Sequence, residues 1–294
     1  MNQFVITTDN GSDLGVDLTK EFGVELVNLT VIIDEEEYDG ANKFISSEKI
    51  YNLMKKGKTP KTSQVSPAKA EEFFESYLKK GLDVLHLCLS GQVSGSYNSC
   101  KIAEVNLKQK YPERKIEVID SLSGSLGQGL LVLEAIKQKN QNKSFEEIIE
   151  FINNNKKNIC HIFTVDDLTY LKRSGRISRT KSAIGSFIGV KPILSVDNYG
   201  RIVQIDKVRG RKNSILYILE KIKKHIDFNL SNTLAITHAD CQKDAEFIRD
   251  EIKNKIDTQD KIKNIIIENM GPVLGSHSGP GTLAVFFLAD QRLE

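Results

Sequence analysis

The first half of the chain repeats one pattern, in which a short apolar run leads into a polar loop and then into a helical pattern. The apolar runs are Phe4–Thr7, Val84–Leu89 and Ile116–Ile119, and a fourth run, Leu26–Ile33, precedes a longer loop. Strands that alternate with helices form parallel sheets, because each crossover helix returns the chain to the same end of the sheet. The repeat therefore predicts an α/β fold with a parallel sheet in this half.

The pattern changes after a strongly polar stretch at residues 153–158. An apolar strand is predicted at Cys160–Val165, and two β-rich runs, Ile193–Val196 and Arg201–Val208, flank turn residues that are typical of an antiparallel hairpin. We therefore predict two domains, an N-terminal α/β domain at 1–159 and a C-terminal α+β domain at 160–294. The length of 294 residues suits two domains of ~100–200 residues each.

Composition excludes several classes of protein. With 39% hydrophobic and 27% charged residues, the chain is neither disordered nor a disulfide scaffold. Its net charge of +2 creates no strong overall field for nucleic acid or membrane. No apolar run approaches the ~18 residues of a membrane helix, and no signal peptide is visible. With four scattered cysteines, we expect a cytoplasmic protein with reduced thiols and at most transient membrane contact.

The segment Thr62-Ser63-Gln64 is the first candidate ligand-binding loop. It precedes Ser66 and Pro67, which predict a helix cap and a first-turn proline before a helix at residues 68–80. Capping explains Ser66 and Pro67 but assigns nothing to Thr62 and Ser63. A turn and a ligand site are both consistent with this segment.

A second candidate loop, Ser90–Ser96, is rich in Ser and Gly and follows a predicted strand, and a third follows at Asp120–Ser125. Loops after parallel strands meet at the carboxyl edge of the sheet, where ligands bind. Glycines such as Gly95 let backbone approach a ligand, and hydroxyls such as that of Ser94 favour an anion beside helix amides. A plain turn remains the alternative for each loop alone, but together they predict an oxyanion or carboxylate site.

His277 lies in the predicted loop Gly271–Gly281, among small residues, where a ligand-facing and a structural role are both open. His86, inside a predicted strand, is interpreted as a hydrogen-bonded core residue. The familiar signatures of hydrolases, NTPases and dehydrogenases are absent, so we predict no catalytic residues and no cofactor. No histidines or carboxylates fall at ligand spacing on one helix, and no metal site is predicted.

Basic residues are concentrated between Leu168 and Lys212. This segment contains eleven basic residues but only two acidic ones, Asp197 and Asp206. A solvated basic face and a docking surface for an acidic protein or phosphate are both consistent with this segment. Aromatic residues are few here, so nucleic acid is not the expected partner.

Taken together, these segments resemble the DegV family of bacterial fatty-acid-binding proteins, which includes the FakB subunits of the fatty acid kinase system. Each segment is short, but they occur in family order along most of the chain. The segments that carry the resemblance are Thr8–Leu14, Thr62–Gln64, Ser90–Tyr97, Asp120-Ser121, Leu171–Ile177, Gly189–Leu194, Arg209–Arg211 and His277–Gly281. Two positions depart from the family pattern, since Asn10 and Gly91 stand where serines are common.

The resemblance implies two domains with an acyl chain buried between them. It places the carboxylate of a palmitate-like fatty acid at Thr62 and Ser94, with Ser63, Gly95 and His277 beside it. It also implies a carrier rather than an enzyme, which presents the fatty acid to a separate kinase subunit for acyl-phosphate formation. The implied partner-binding residues are Arg173, Arg176 and Arg209.

For the acyl chain itself we predict a dry tunnel lined partly by Ala183–Leu194, which combines apolar side chains with glycines. Two other functions stay open at this point. One is a small-molecule kinase-like enzyme related to dihydroxyacetone kinases, and the other is a lipid-responsive regulatory binding module.

Overall fold

A computed structural model describes residues 3–177, 189–257 and 259–293. A four-stranded parallel sheet forms the first layer, in the order β2-β1-β6-β7. Its strands are β1 (Phe4–Asp9), β2 (Glu25–Val27), β6 (Asp83–Cys88) and β7 (Ile116–Asp120). All three of its strand pairs are parallel, which confirms the fold class predicted for the first half of the chain.

A small antiparallel sheet, in the order β4-β3-β5, lies beside the first. It contains β3 (Thr30–Ile33), β4 (Glu36–Tyr38) and β5 (Lys61–Ser63). The prediction of one strand across Leu26–Ile33 is therefore wrong, because the chain leaves the parallel sheet after Val27. The side chain of Asn10 stabilises this break, since it accepts from the backbone N–H of Leu29 and donates to the Leu29 carbonyl.

The third sheet has six strands in the order β10-β9-β8-β13-β11-β12. They are β8 (Ile159–Thr164), β9 (Val190–Val196), β10 (Ile202–Arg209), β11 (Thr233–His238), β12 (Asn264–Asn269) and β13 (Leu283–Leu288). Its pairs are antiparallel except for β11 with β12. The predicted hairpin is confirmed as β9 and β10, whose turn is closed by the Asp197 carboxylate on the N–H groups of Tyr199 and Arg201.

Ten α-helices cover these sheets in the described part of the chain. They are α1 (Val16–Phe22), α2 (Ser47–Lys55), α3 (Pro67–Leu78), α4 (Ser96–Lys110), α5 (Leu126–Asn140), α6 (Phe145–Asn155), α7 (Thr169–Ser174), α8 (Arg211–His225), α9 (Gln242–Glu251) and α10 (Pro272–Ser278). A 3-10 turn at Asn10–Ser12 and a π-helical turn at Ile252–Ile256 complete them. Ser66 caps α3 as predicted, by accepting from the N–H of Lys69. Within the described ranges, no helix has both the length and the apolar character that crossing a bilayer requires.

The two larger sheets are joined by a shared core. The parallel sheet uses residues up to Asp120, and the six-stranded sheet begins at Ile159. Helix α5 packs against β1 on one side and against β11 and β13 on the other. One hydrophobic cluster contains side chains from both halves, such as Leu126 and Phe286. The domain boundary at 159 therefore stays a prediction from the sequence.

Candidate functional site

A cavity of about 180 Å³ lies between the carboxyl edge of the parallel sheet and the six-stranded sheet. Its apolar side is formed largely by strand residues of the six-stranded sheet, Phe163, Val196, Ile202, Ala284 and Phe286. Its polar side is formed mostly by residues of β5, of the loops that follow β6 and β7, and of helix α10. The strands of the six-stranded sheet thus contribute mainly apolar groups, whereas the loops contribute hydroxyls together with apolar residues such as Leu89 and Val93.

The two hydroxyl loops predicted from the sequence meet on the polar side, where Thr62, Ser94 and Gly95 all line the cavity. Ser96, at the start of α4, links them, because its hydroxyl accepts from the N–H of Val65 at 3.1 Å and lies 3.0 Å from the Ser94 hydroxyl. The structure therefore brings the residues of these loops to one cavity. That they form a ligand site stays a prediction.

Gly95 allows the two loops to approach each other closely. A Cβ atom at this position would collide with the side chain of Gln64, which also lines the cavity. The Gln64 amide is in turn fixed, since it donates to the hydroxyl of Ser99 at 2.9 Å. A side chain at position 95 would therefore separate the loop from β5.

Ser63 occupies a different place from its neighbour Thr62. Successive side chains of a strand point to opposite faces, and both residues belong to β5. Thr62 is half-buried at the cavity, whereas Ser63 is exposed and does not line it. The structure therefore does not bring Ser63 to the other predicted ligand-binding residues.

His277 lies on the polar side, but on a helix rather than in the predicted loop. Helix α10 forms because Pro272 occupies its first turn and because the Asp13 carboxylate accepts from the N–H of Gly271 at 2.8 Å. The Nε2 atom of His277 lies 2.7 Å from the hydroxyl of Thr62. Burial, with a smaller contribution from the charge of Arg176, lowers the pKa of His277 to about 4. The imidazole is therefore neutral at pH 7.

The three predicted partner-binding arginines differ in position. Arg176 lines the cavity, and its Nε atom donates to the carbonyl of Val93 at 3.3 Å. Arg173 is exposed, with its guanidinium 5.3 Å from the centre of the Tyr170 ring. Arg209 is exposed at the end of β10. Only Arg173 and Arg209 lie where a protein partner could reach them without entering the cavity.

Asp13 and Ser125 support the polar side. Ser125 ends the third candidate loop, whereas Asp13 was not singled out from the sequence as a site residue. Ser125 lines the cavity, and its hydroxyl donates to the buried Asp13 carboxylate at 2.5 Å. Burial raises the pKa of Asp13 to about 7. One signal was present, because Asp13 follows the first strand in the same way that the Ser/Gly loops follow the others. A lone carboxylate after a strand is also typical of a helix cap, so the position of Asp13 alone did not indicate a role at the cavity.

The predicted tunnel segment Ala183–Leu194 is only partly visible. Residues 183–188 lie outside the described part of the chain, and residues 189–194 do not line the cavity. Gly189 and Lys191 instead border a separate surface pocket. In the described part of the chain, the phenylalanines that line the cavity, Phe163 and Phe286, belong to β8 and β13.

Comparison with known proteins shows which family this chain belongs to. The family model of DegV matches residues 3–290. The chain belongs to the DegV family. A DegV domain-containing protein of Clostridium perfringens is 41% identical over 293 residues, with 99% of each chain covered. A DegV domain-containing protein of Caldanaerobacter subterraneus is 38% identical, with 98% of this chain and 99% of the relative covered.

Solved DegV structures share the fold. A DegV protein of Thermus thermophilus, described as fatty-acid-binding, has a TM-score of 0.86 at 26% identity, covering 98% of this chain and 99% of that one. DegV of Bacillus subtilis, described as a fatty acid binding protein, has a TM-score of 0.83 at 28% identity. The match covers 99% of this chain and 100% of the Bacillus subtilis chain. A stearic acid-binding protein of Eubacterium ventriosum has a TM-score of 0.83 at 26% identity. The match covers 97% of this chain and 98% of the Eubacterium ventriosum chain.

Proposed function

We propose that this DegV protein binds a long-chain fatty acid in the cavity. The carboxylate lies against Thr62 and Ser94, and the acyl chain lies against the six-stranded sheet. The observation that carries this proposal is that one cavity is lined both by hydroxyl groups, such as those of Thr62 and Ser94, and by apolar side chains of the six-stranded sheet. This combination suits a molecule with one anionic end and a hydrocarbon tail.

The polar side suits a carboxylate in particular. A carboxylate only accepts hydrogen bonds, and the hydroxyls of Thr62 and Ser94 can donate them. His277 is neutral at pH 7, so its ring can carry a proton on one nitrogen and accept on the other. Arg176 adds a positive charge to the same cavity. Hydrogen bonds to a charged group contribute ~1.5–3 kcal/mol each, which is enough to orient the ligand.

The tail supplies most of the affinity in this proposal. At ~0.8 kcal/mol for each buried methylene, a chain of ~15 carbons gains roughly 12 kcal/mol before ordering costs. The aromatic side chains of Phe163 and Phe286 provide the apolar contact surface. Support also comes from the DegV proteins of Thermus thermophilus and Bacillus subtilis, which share the fold and are described as fatty-acid-binding.

The proposal extends to a partner. The protein presents the carboxylate to a separate kinase, which forms the acyl phosphate, while the protein itself acts as a carrier. The polar groups at the cavity are chiefly hydroxyls, an amide, two histidines and an arginine, and the hydroxyls, the amide and the guanidinium can donate hydrogen bonds to an anion. The exposed Arg173 and Arg209 are the residues we assign to docking the kinase.

The test uses the double variant Thr62→Ala/Ser94→Ala, with Ser63→Ala as the matched control from the same strand. Removing both hydroxyls should weaken palmitate binding by ~3 kcal/mol or more, which is over a hundredfold. Ser63→Ala should bind as the parent does. Calorimetry measures the affinity, and native mass spectrometry identifies the acyl chain that copurifies with the parent. Equal palmitate affinity in the double variant and the parent would refute the carboxylate assignment. A parent that carries no acyl chain and binds no palmitate would refute fatty-acid binding itself.

A further inference from the structure

Three side chains beneath the polar loops form a cluster that the proposed fatty-acid site does not use. His86 and Cys88 lie on β6, and Cys100 lies in the second turn of α4. All three are completely buried. One ligand atom from each residue lies within 4.8 Å of the other two. None of the three lines the cavity.

The βα unit itself brings these residues together. His86 and Cys88 are two positions apart on a strand, so their side chains share one face of the sheet. After Cys88 the chain passes through the Ser90–Gly95 loop and returns as α4, which packs against β6. Cys100 thereby meets Cys88 across a strand, a loop and a helix turn. This route explains why the spacing of cysteines along the sequence showed no metal motif.

His86 supplies an independent sign of a missing ligand. Its Nδ1 atom is 2.9 Å from the hydroxyl of Thr7, which confirms the predicted hydrogen bond of a core histidine at that nitrogen. Its Nε2 atom is buried and makes no hydrogen bond of normal geometry within residues 3–177, 189–257 and 259–293, although the thiol of Cys100 interacts with the ring. A buried polar atom without a well-formed hydrogen bond costs free energy. Metal-bound histidines typically hold one nitrogen on a hydrogen-bond partner and offer the other to the metal.

We propose that His86, Cys88 and Cys100 bind a thiophilic metal ion, either Zn²⁺ or Cu⁺. Thiolate sulfur selects these two ions over Mg²⁺ or Ca²⁺. Two thiolates and a neutral imidazole carry a charge of −2, which Zn²⁺ cancels fully and Cu⁺ cancels by half. Three protein ligands suit a three-coordinate Cu⁺, and they also suit Zn²⁺ with one open position.

Binding requires only small changes in the protein. Each thiol releases its proton to solvent as its sulfur bonds the metal. Zn–S bonds of ~2.3 Å and Zn–N bonds of ~2.0–2.1 Å place tetrahedral ligand atoms roughly 3.5–3.8 Å apart. The three ligand atoms, which now lie within 4.8 Å, therefore close by about 1 Å. Because the cluster is sealed from solvent, the metal enters most readily as the chain folds.

The metal would join the end of β6 to the start of α4. These are the two ends of the Ser90–Gly95 loop, which lines the cavity. The proposal does not depend on fatty-acid binding, since it rests on residues outside the cavity.

The experiment loads the full chain by refolding it from urea under reducing, oxygen-free conditions with Zn²⁺ in one arm and Cu⁺ in the other. After removal of free metal, elemental analysis measures the metal-to-protein ratio. We expect a ratio near one for at least one ion, and the arm that binds identifies it. X-ray absorption of the unaltered loaded protein should show two sulfur ligands and one nitrogen ligand. Less than a tenth of an equivalent of both ions, or a spectrum without sulfur ligands, would overturn the site.

Cys100→Ala is the variant, and Cys160→Ala is its matched control, because Cys160 is an equally buried thiol outside the cluster. The metal-to-protein ratio should fall at least tenfold in Cys100→Ala and stay near one in Cys160→Ala. Circular dichroism reports whether each variant folds, and the X-ray absorption result decides the question if Cys100→Ala does not. Equal loading of Cys100→Ala and the parent would show that the cluster is not the site.

Discussion

The two sides of the cavity are held in place by different forces. The polar side consists of loops that depend on a few buried side-chain hydrogen bonds, such as those of Asp13 and Arg292. The apolar side consists of strands held by continuous backbone ladders in the six-stranded sheet. The polar side should therefore respond to protonation, and the apolar side to changes in volume.

Asp13 gives the largest expected effect on the polar side. Its pKa is about 7 in the folded protein, against an ordinary value of 3.8. A group whose pKa is raised by folding contributes stability that is complete below pH 3.8 and is lost as the pH rises through 7. Between pH 5 and pH 8 this loss amounts to about 3 kcal/mol. In Asp13→Asn, this loss of stability between pH 5 and pH 8 should be absent.

Urea unfolding at pH 5 and pH 8 measures this effect, and the change between the two pH values is compared among variants. Asp17→Asn, on the surface helix α1, is the control and should follow the parent. If Asp13→Asn and the parent lose the same stability between pH 5 and pH 8, the buried carboxyl does not carry the pH dependence of the polar side.

Ala284→Leu tests the apolar side by volume alone. Ala284 lines the cavity on β13, so three added carbon atoms displace roughly three methylenes of a bound chain. At ~0.8 kcal/mol for each methylene, palmitate should bind about 2.4 kcal/mol more weakly. Decanoate, which is shorter, should bind as it does to the parent. A uniform loss for both chain lengths would place Ala284 beside the first ten carbons, which both acids share, and not at the far end of the tail.

These two sides were not equally predictable from the sequence. Ser and Gly residues after predicted strands are conspicuous, and so the sequence singled out Thr62 and Ser94, which the structure brings to one cavity. Phe163 and Phe286 lie in strands whose residues are all buried, and such strands show no alternation that would reveal which face meets a cavity. Helix α10 was missed because its small residues resemble a loop, and its start depends on Asp13, which is distant in sequence.

His277 is an exception on the polar side, because its pKa shift has the opposite sign. Its pKa is about 4 in the folded protein and 6.5 ordinarily, so the unfolded chain takes up the proton first as the pH falls. The stability that His277 contributes is complete above pH 6.5 and is lost as the pH falls through 4. Between pH 7 and pH 5 the loss is about 2 kcal/mol.

His277→Gln should therefore lose about 2 kcal/mol less stability than the parent when the pH falls from 7 to 5. Urea unfolding measures it, and His225→Gln on the surface of α8 is the control with a much smaller expected difference. A parent and a His277→Gln variant with the same pH dependence would show that the imidazole is not held neutral by burial.

The smallest effect on the lipid is expected at the arginines outside the cavity, and it separates the cavity from the surface. Exposed side chains without buried partners change binding by less than about 0.5 kcal/mol, so Arg173→Ala/Arg209→Ala should leave palmitate affinity nearly unchanged. Arg176→Ala should weaken palmitate binding by about 1.5 kcal/mol, because Arg176 lines the cavity.

Arg173→Ala/Arg209→Ala should instead slow acyl-phosphate formation when the partner kinase is present, since exposed charges steer association. That deficit should be largest at low salt, because added salt screens the same attraction in the parent. Calorimetry and the phosphorylation rate per bound lipid are measured on the same preparations. A loss of palmitate binding in the surface pair, with a normal rate per bound lipid, would move Arg173 and Arg209 from the docking surface to the lipid site.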